Sequence, residues 1–150
     1  MNVFLQLWNQ FNKAILNSPL HWITSRNILL IRIKGRKTGK EFTTPVNFSQ
    51  AGDTIRITSF SNRSWWQNLK TNPEVVITLR GQEINGAAEV FVDQHEVAVE
   101  LGAFLESIPV MARYFKVATL PDGSFNQDDL YQSAKGRVMI KVQLKGLSKV

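Results

Sequence analysis

The chain has 150 residues, no cysteine and a formal net charge of +6. A chain of this length buries about two-thirds of its unfolded surface without covalent staples, and the missing thiols exclude disulfides, thiolate nucleophiles, iron–sulfur clusters and cysteine-built zinc sites. The excess of cations points to anionic partners: a phosphorylated cofactor, nucleic acid or an acidic membrane face. The two histidines, His21 and His95, lie far apart in sequence, so no metal site is expected. No stretch approaches the ~20 apolar residues of a membrane span, and the N-terminus lacks the basic start and unbroken apolar core of a secretory signal. A cytoplasmic chain folding as one domain over residues 1–150 is expected.

Residues 2–17 read as an amphipathic helix with Phe4, Leu7, Trp8, Phe11 and Ile15 at three- and four-residue spacing, ended by Ser18-Pro19. Docking of this aromatic stripe on the domain core is the plainer reading. Peripheral contact with a membrane is the sharper one, and a polar face with a single cation favours it less.

Residues 27–33 are a continuous apolar run that reads as a buried strand, and residues 41–48 alternate with Phe42, Thr44, Val46 and Phe48 on one face. The turn between them carries Gly35 and Gly39 among Lys34, Arg36, Lys37 and Lys40. Glycines bare backbone N–H groups, and the cations add charge, so the turn can hold a phosphate or carboxylate; a solvated hairpin tip is the alternative. A third strand spans 54–60, with Ile55, Ile57 and Ser59 on one face. Ser64 and Gln67 form a capping-box pattern opening a short helix that stops before Asn72-Pro73, and Arg63 precedes its N-terminus, which makes a second anion site plausible. Trp65 and Trp66 are adjacent, so one is expected in the core and the other free to wall a planar ligand.

Residues 74–80 and 83–91 read as two further strands, and Gly86-Ala87-Ala88 admits close approach of a backbone or a ligand. Asp93 and Glu96 open a helix to about Ser107 that buries Val97, Leu101, Phe104 and Leu105. Pro109 begins a short helical segment carrying Met111, Tyr114 and Phe115; Asn126 caps another helix, which Gly136 ends; residues 138–144 form the last strand. About six strands joined mainly by close antiparallel connections imply an α+β domain on a barrel-like sheet, and no βαβ crossover supports a Rossmann arrangement.

Residues 29–40 followed by Thr43-Thr44-Pro45-Val46 resemble the signature of the deazaflavin-dependent (F-420) nitroreductase and quinone reductase family. A second block is also similar: Gly52-Asp53, Ile55 to Ser59, then Trp65-Trp66-Gln67-Asn68-Leu69-Lys70 through Val75. The resemblance covers roughly residues 15–92 and implies a split β-barrel of the pyridoxamine-phosphate-oxidase-like, FMN-binding-like kind, as a monomer or homodimer. It implies that Arg36, Lys37, Thr38 and Lys40 bind the phosphate and acidic tail of coenzyme F-420. Thr44, Pro45 and Val46 would lie along the deazaflavin ring and Ser59 near its reactive face, with Arg63, Trp65, Asn68 and Lys70 as the neighbouring wall. Tyr114 and Tyr131, the only tyrosines, are the candidates for a substrate-side role beside Ser59. The chain departs from the family pattern in the short segment Phe60-Ser61-Asn62-Arg63 and in Trp66, where a smaller aromatic is usual.

The resemblance thus implies hydride transfer from reduced F-420 to a small electron-poor acceptor, a quinone or nitro compound. The alternatives are an FMN-dependent reductase or oxidase on the same fold and a non-catalytic cofactor-binding protein. Nucleic-acid binding is not expected, because the chain shows neither an aromatic-studded sheet nor a recognition helix.

Overall fold

Six strands form where the hydrophobic patterning places them, within residues 28–145 described by a computed structural model. The helix expected over 2–17 and His21 lie outside the described residues. The strands are β1 (Ile28–Lys34), β2 (Glu41–Ala51), β3 (Thr54–Phe60), β4 (Glu74–Leu79), β5 (Gln82–Phe91) and β6 (Arg137–Leu144). They close into a barrel in the order β1-β2-β3-β6-β5-β4, with β4 returning to β1 and every pairing antiparallel. Closure removes the free edges that an open sheet must otherwise protect.

Alternation along each strand fills the barrel. Leu29, Ile31 and Ile33 of β1 meet Val46 and Phe48 of β2, Ile55 and Ile57 of β3, and Val138, Ile140 and Val142 of β6 in one buried cluster. The opposite face of β6 contributes Met139 to a second cluster outside the barrel. There α2 (Gln94–Ser107) and α3 (Gln127–Ala134) bury Val97, Leu101, Phe104, Leu105 and Leu130; α1 is the short helix Asn68–Thr71. Asp93 caps α2 by accepting from the N–H groups of His95 and Glu96, and Asn126 caps α3 by accepting from Asp129 N–H. A 2.9 Å ion pair from Arg56 on β3 to Glu100 on α2, both largely buried, ties the helical layer to the sheet.

Several expectations are changed or resolved in the structure. β2 runs three residues past Phe48, because the β2–β3 turn needs only Gly52-Asp53, with Gly52 at φ +62°. β4 ends at Leu79 rather than Arg80: Arg80 and Gly81, at φ +51° and +82°, are the two central residues of the tight β4–β5 turn. Gly86 makes room for β6, since a Cβ there would fall 2.6 Å from Val142 Cγ1. The close approach is therefore that of β6.

The capping box does not form. Ser64 is already in the helical region at φ −100°, ψ −17° and its side chain caps nothing, whereas a capping side chain works from extended backbone. A single 3-10 turn, Trp65–Gln67, leads into α1. That turn packs against the barrel cluster on both indoles, so Trp65 and Trp66 are both buried. The helix is too short to present an N-terminal anion site of its own, and the second anion site expected there is replaced by the contacts described below.

Candidate functional site

The sequence places four cations in the β1–β2 turn, and backbone hydrogen bonds fix its shape. Gly35 N–H donates to Lys40 O at 2.8 Å and Gly39 N–H to Gly35 O at 3.0 Å, with Gly39 at φ +74°. The Thr38 hydroxyl accepts from Lys40 N–H at 3.3 Å, so it serves the turn itself. Lys37 and Lys40 are exposed, and no carboxylate pairs with them among the described residues.

Arg36 faces the other way, toward the 3-10 turn. Its backbone N–H and its Nη1 both donate to Asn68 Oδ1, at 2.9 and 3.0 Å, and Nη1 also reaches Ser64 O at 3.5 Å. Asn68 is buried and passes the connection on: its Nδ2 donates to Trp65 O at 2.9 Å. Trp65 Nε1 then donates to Ser59 Oγ at 3.0 Å. A chain of hydrogen bonds therefore runs from the basic turn through Asn68 and Trp65 to Ser59. Both Asn68 and Arg36 are engaged by the protein, so Asn68 positions its neighbours instead of offering a free contact.

Ser59 opens into a groove of about 150 Å³. Pro45 and Val46 of β2 supply apolar surface, Asn47, Thr58 and Ser59 supply polar groups, and Arg63 and Trp65 stand on the near side. The far side is Phe60, Tyr114, Phe115 and Arg137. Asn47 Oδ1 and Thr58 Oγ1 are buried without a hydrogen-bond partner among the described residues. A buried polar atom left unpaired costs free energy, so this pair of atoms suits a ligand with a polar edge.

Of the residues singled out in the sequence, the groove unites Pro45, Val46, Ser59, Arg63, Trp65 and Tyr114. Thr44 lies one residue before it on β2, opposite Ile31. Lys70 is exposed on α1 with its ammonium 5.1 Å from the Trp66 ring centre. Tyr131 is a correction. It packs at a 40° tilt against His95 with ring centres 4.6 Å apart, in a separate hollow between α2 and α3. The cause is helical geometry: Leu130 and Ala134 face the core, which turns Tyr131 about 100° away from that face.

Asn47, Thr58, Phe60, Phe115 and Arg137 are groove residues that sequence reasoning missed. No local signal marks them. Arg137 arrives beside Phe60 only because β6 pairs with β3 in that register, and Phe115 only because the segment after Pro109 folds over the same end. Burial pushes the Arg137 guanidinium below its ordinary pKa, a shift the nearby Tyr114 opposes; arginine remains charged at neutral pH.

An apolar strand floor with two unused polar atoms suits a flat ring with a hydrogen-bonding edge, and exposed lysines across a short bridge of contacts suit a polyanionic tail. Six antiparallel strands closed around an apolar core, with the groove on their outside, define a split-barrel fold. The profile of the F-420H2-dependent quinone reductase family matches residues 14–109, and the chain belongs to that family. No protein of curated function matches the sequence.

Solved structures of similar fold include a candidate 5-nitroimidazole antibiotic resistance protein from Bacteroides thetaiotaomicron, 16% identical, covering 91% of this chain and 80% of that one at a TM-score of 0.53. A candidate pyridoxamine 5'-phosphate oxidase from Listeria innocua is 14% identical and covers 92% and 93% of the two chains at 0.51. An FAD-binding protein from Mesorhizobium loti is 11% identical and covers 82% and 84% at 0.51. At these identities the likeness is one of fold. Among the described residues no helix is long and apolar enough to cross a membrane.

Proposed function

We propose that this protein is an oxidoreductase that takes a hydride from reduced coenzyme F-420 and passes it to a small electron-poor acceptor, a quinone or a nitro compound. The observation that carries this reading is the continuity between the basic turn and the groove: Arg36, Asn68, Trp65 and Ser59 form one hydrogen-bonded chain between them. Lys37 and Lys40 would hold the anionic tail, with Lys70 and Arg63 adding charge on the near side. Pro45 and Val46 would carry the ring, and Asn47 Oδ1 and Thr58 Oγ1 would meet its polar edge. Bound there, the cofactor would supply the hydride.

The chain's own groups contribute orientation and charge. Ser59 Oγ accepts from Trp65 Nε1, which leaves its hydroxyl proton to donate toward an acceptor oxygen as negative charge builds there. A quinone takes up a hydride and one proton to become a hydroquinone, and Ser59, the Tyr114 hydroxyl or water supplies that proton. Arg36 and Asn68 hold the Trp65 turn in place.

The short segment between Phe60 and Ser64 favours a second reading, an FMN-dependent enzyme on the same scaffold, whose cofactor carries one phosphate and no longer tail. One assay separates them. The protein is mixed anaerobically with F-420H2 and menadione or nitrofurazone, and cofactor oxidation is followed with and without acceptor. The first reading expects acceptor-dependent turnover with F-420H2; turnover with FMNH2 alone, or with neither, contradicts it.

A further inference from the structure

Among the described residues Arg137 is the one charged residue in the far wall of the groove, and its surroundings are unusual for an arginine. It is the first residue of β6 and pairs with Phe60 across the β3–β6 ladder. Its Cζ lies 4.7 Å from the ring centre of Phe60 and 4.7 Å from that of Phe115. Its Nε donates to Ser133 O at 3.0 Å, and Ser61 N–H donates to the carbonyl of the preceding Gly136 at 2.9 Å, which anchors the strand start. Two aromatic contacts and one hydrogen bond therefore fix the guanidinium plane.

Those contacts leave the other edge of the fork unused. Nη1 and Nη2 have no carboxylate partner among the described residues, although the side chain is half-buried. Arg137 also stands where the groove meets a second hollow of about 340 Å³ that shares Phe60, Tyr114 and Phe115 with it. Among the described residues Asp129 is the sole carboxylate lining either space, and its Oδ2 accepts from Ala118 N–H at 2.9 Å. Lys116, Lys135 and Arg63 add positive charge around it. A planar guanidinium with one open edge, flanked by aromatic rings, matches a planar carboxylate in a bidentate pair better than it matches a tetrahedral anion.

The geometry points to Arg137 as the seat of a carboxylate on the acceptor: the small electron-poor substrate is a planar aromatic or quinonoid acid whose carboxylate pairs with the Nη1–Nη2 edge while its ring lies against Phe60, Phe115 and Tyr114. This deepens the hydride-transfer reading and rests on it for the word acceptor, but the carboxylate seat itself needs no cofactor. It also assigns substrate choice to a residue beyond the segment 14–109 matched by the family profile.

The test uses the whole protein without cofactor. Proton–nitrogen NMR spectra are recorded during titration with 2-naphthoate and, separately, with 2-naphthamide and inorganic phosphate. The Arg137 Nε–H signal is assigned by its loss in Arg137→Gln. Naphthoate is expected to shift that signal and to bind at least tenfold more tightly than naphthamide, with phosphate weaker than naphthoate. Arg137→Gln is expected to lower naphthoate affinity tenfold or more while leaving naphthamide within twofold, and Arg137→Lys, which keeps the charge without the fork, to fall between.

Equal affinity for acid and amide in the unaltered protein overturns the proposal whether or not the Gln variant folds, and so does an unmoved Arg137 signal, which Arg137→Lys assigns equally well. Phosphate binding as tightly as naphthoate overturns the planar carboxylate. A separate F-420 titration distinguishes the two readings. Carboxylate binding without F-420 binding leaves the seat standing and removes the cofactor, while the reverse removes the seat alone.

Discussion

The near side of the groove comes from residues 45–65 and the far side from residues 114–137 together with Phe60 at the end of β3, and the two are built by different means. The near side consists of consecutive hairpin strands and one turn, joined by the hydrogen bonds from Arg36 to Asn68 and from Trp65 to Ser59. Its closures span short stretches of chain. The far side exists because β6 pairs with β3 across some eighty intervening residues, Phe60 facing Arg137, so it depends on completion of the barrel. The family profile, which ends at residue 109, includes the first side and stops short of the second. The difference suggests a division of labour in which the near side is matched to the cofactor and the far side is free to select the acceptor.

Removing the link within the near side should have the largest effect. Asn68→Leu removes the acceptor of the Arg36 N–H and Nη1 and one of the two bonds to Trp65 O, which keeps the Asn68 backbone N–H, and is expected to cost about 2 kcal/mol of stability, since an unpaired buried group costs ~1–3 kcal/mol. Urea unfolding measures it, and a loss below about 1 kcal/mol would mean that the chain of contacts is incidental.

Next comes the double substitution Lys37→Ala with Lys40→Ala. It is expected to weaken F-420 binding about tenfold or more through lost charge-assisted contacts, with stability unchanged within about 0.5 kcal/mol because both side chains are exposed. Arg36→Ala is a less selective probe, because it also releases Asn68.

Ser59→Ala keeps the Trp65 ring but deletes the bond from its Nε1. A loss of about 1 kcal/mol is expected from thermal unfolding, the ordinary size of one hydrogen bond, and no loss would show that the bond adds nothing to the near side.

Tyr114→Phe should do least. Tyr114 is half-exposed, so stability should hold within about 0.5 kcal/mol and F-420 affinity within about twofold, a free-energy change of ~0.4 kcal/mol. A tenfold loss of F-420 affinity in this variant would erase the distinction between the two sides.

The same contrast explains what the amino-acid sequence disclosed. All six strands were legible because alternation and tight turns are local properties, and the caps Asp93 and Asn126 carry their chemistry within two or three residues. Of the candidates named from the sequence, Pro45, Val46, Ser59, Arg63, Trp65 and Tyr114 line one groove. Arg137 was not, since nothing in Gly136-Arg137-Val138 announces that β6 will lie beside β3. Tyr131 misled for the converse reason: as one of two tyrosines it stood out by type, while its direction is set by Leu130 and Ala134 packing inward. Both tryptophans are buried because a 3-10 turn, and not a capped α-helix, seats them.

The central claim is that the basic turn and the groove form one bed for a deazaflavin with an anionic tail. The most direct measurement is a fluorescence titration of the purified protein with F-420 and, in parallel, with FMN. The account predicts micromolar or tighter binding of F-420, lost on raising salt and weakened in the Lys37/Lys40 variant, with FMN bound less tightly. FMN bound more tightly than F-420, or binding of neither, would contradict it.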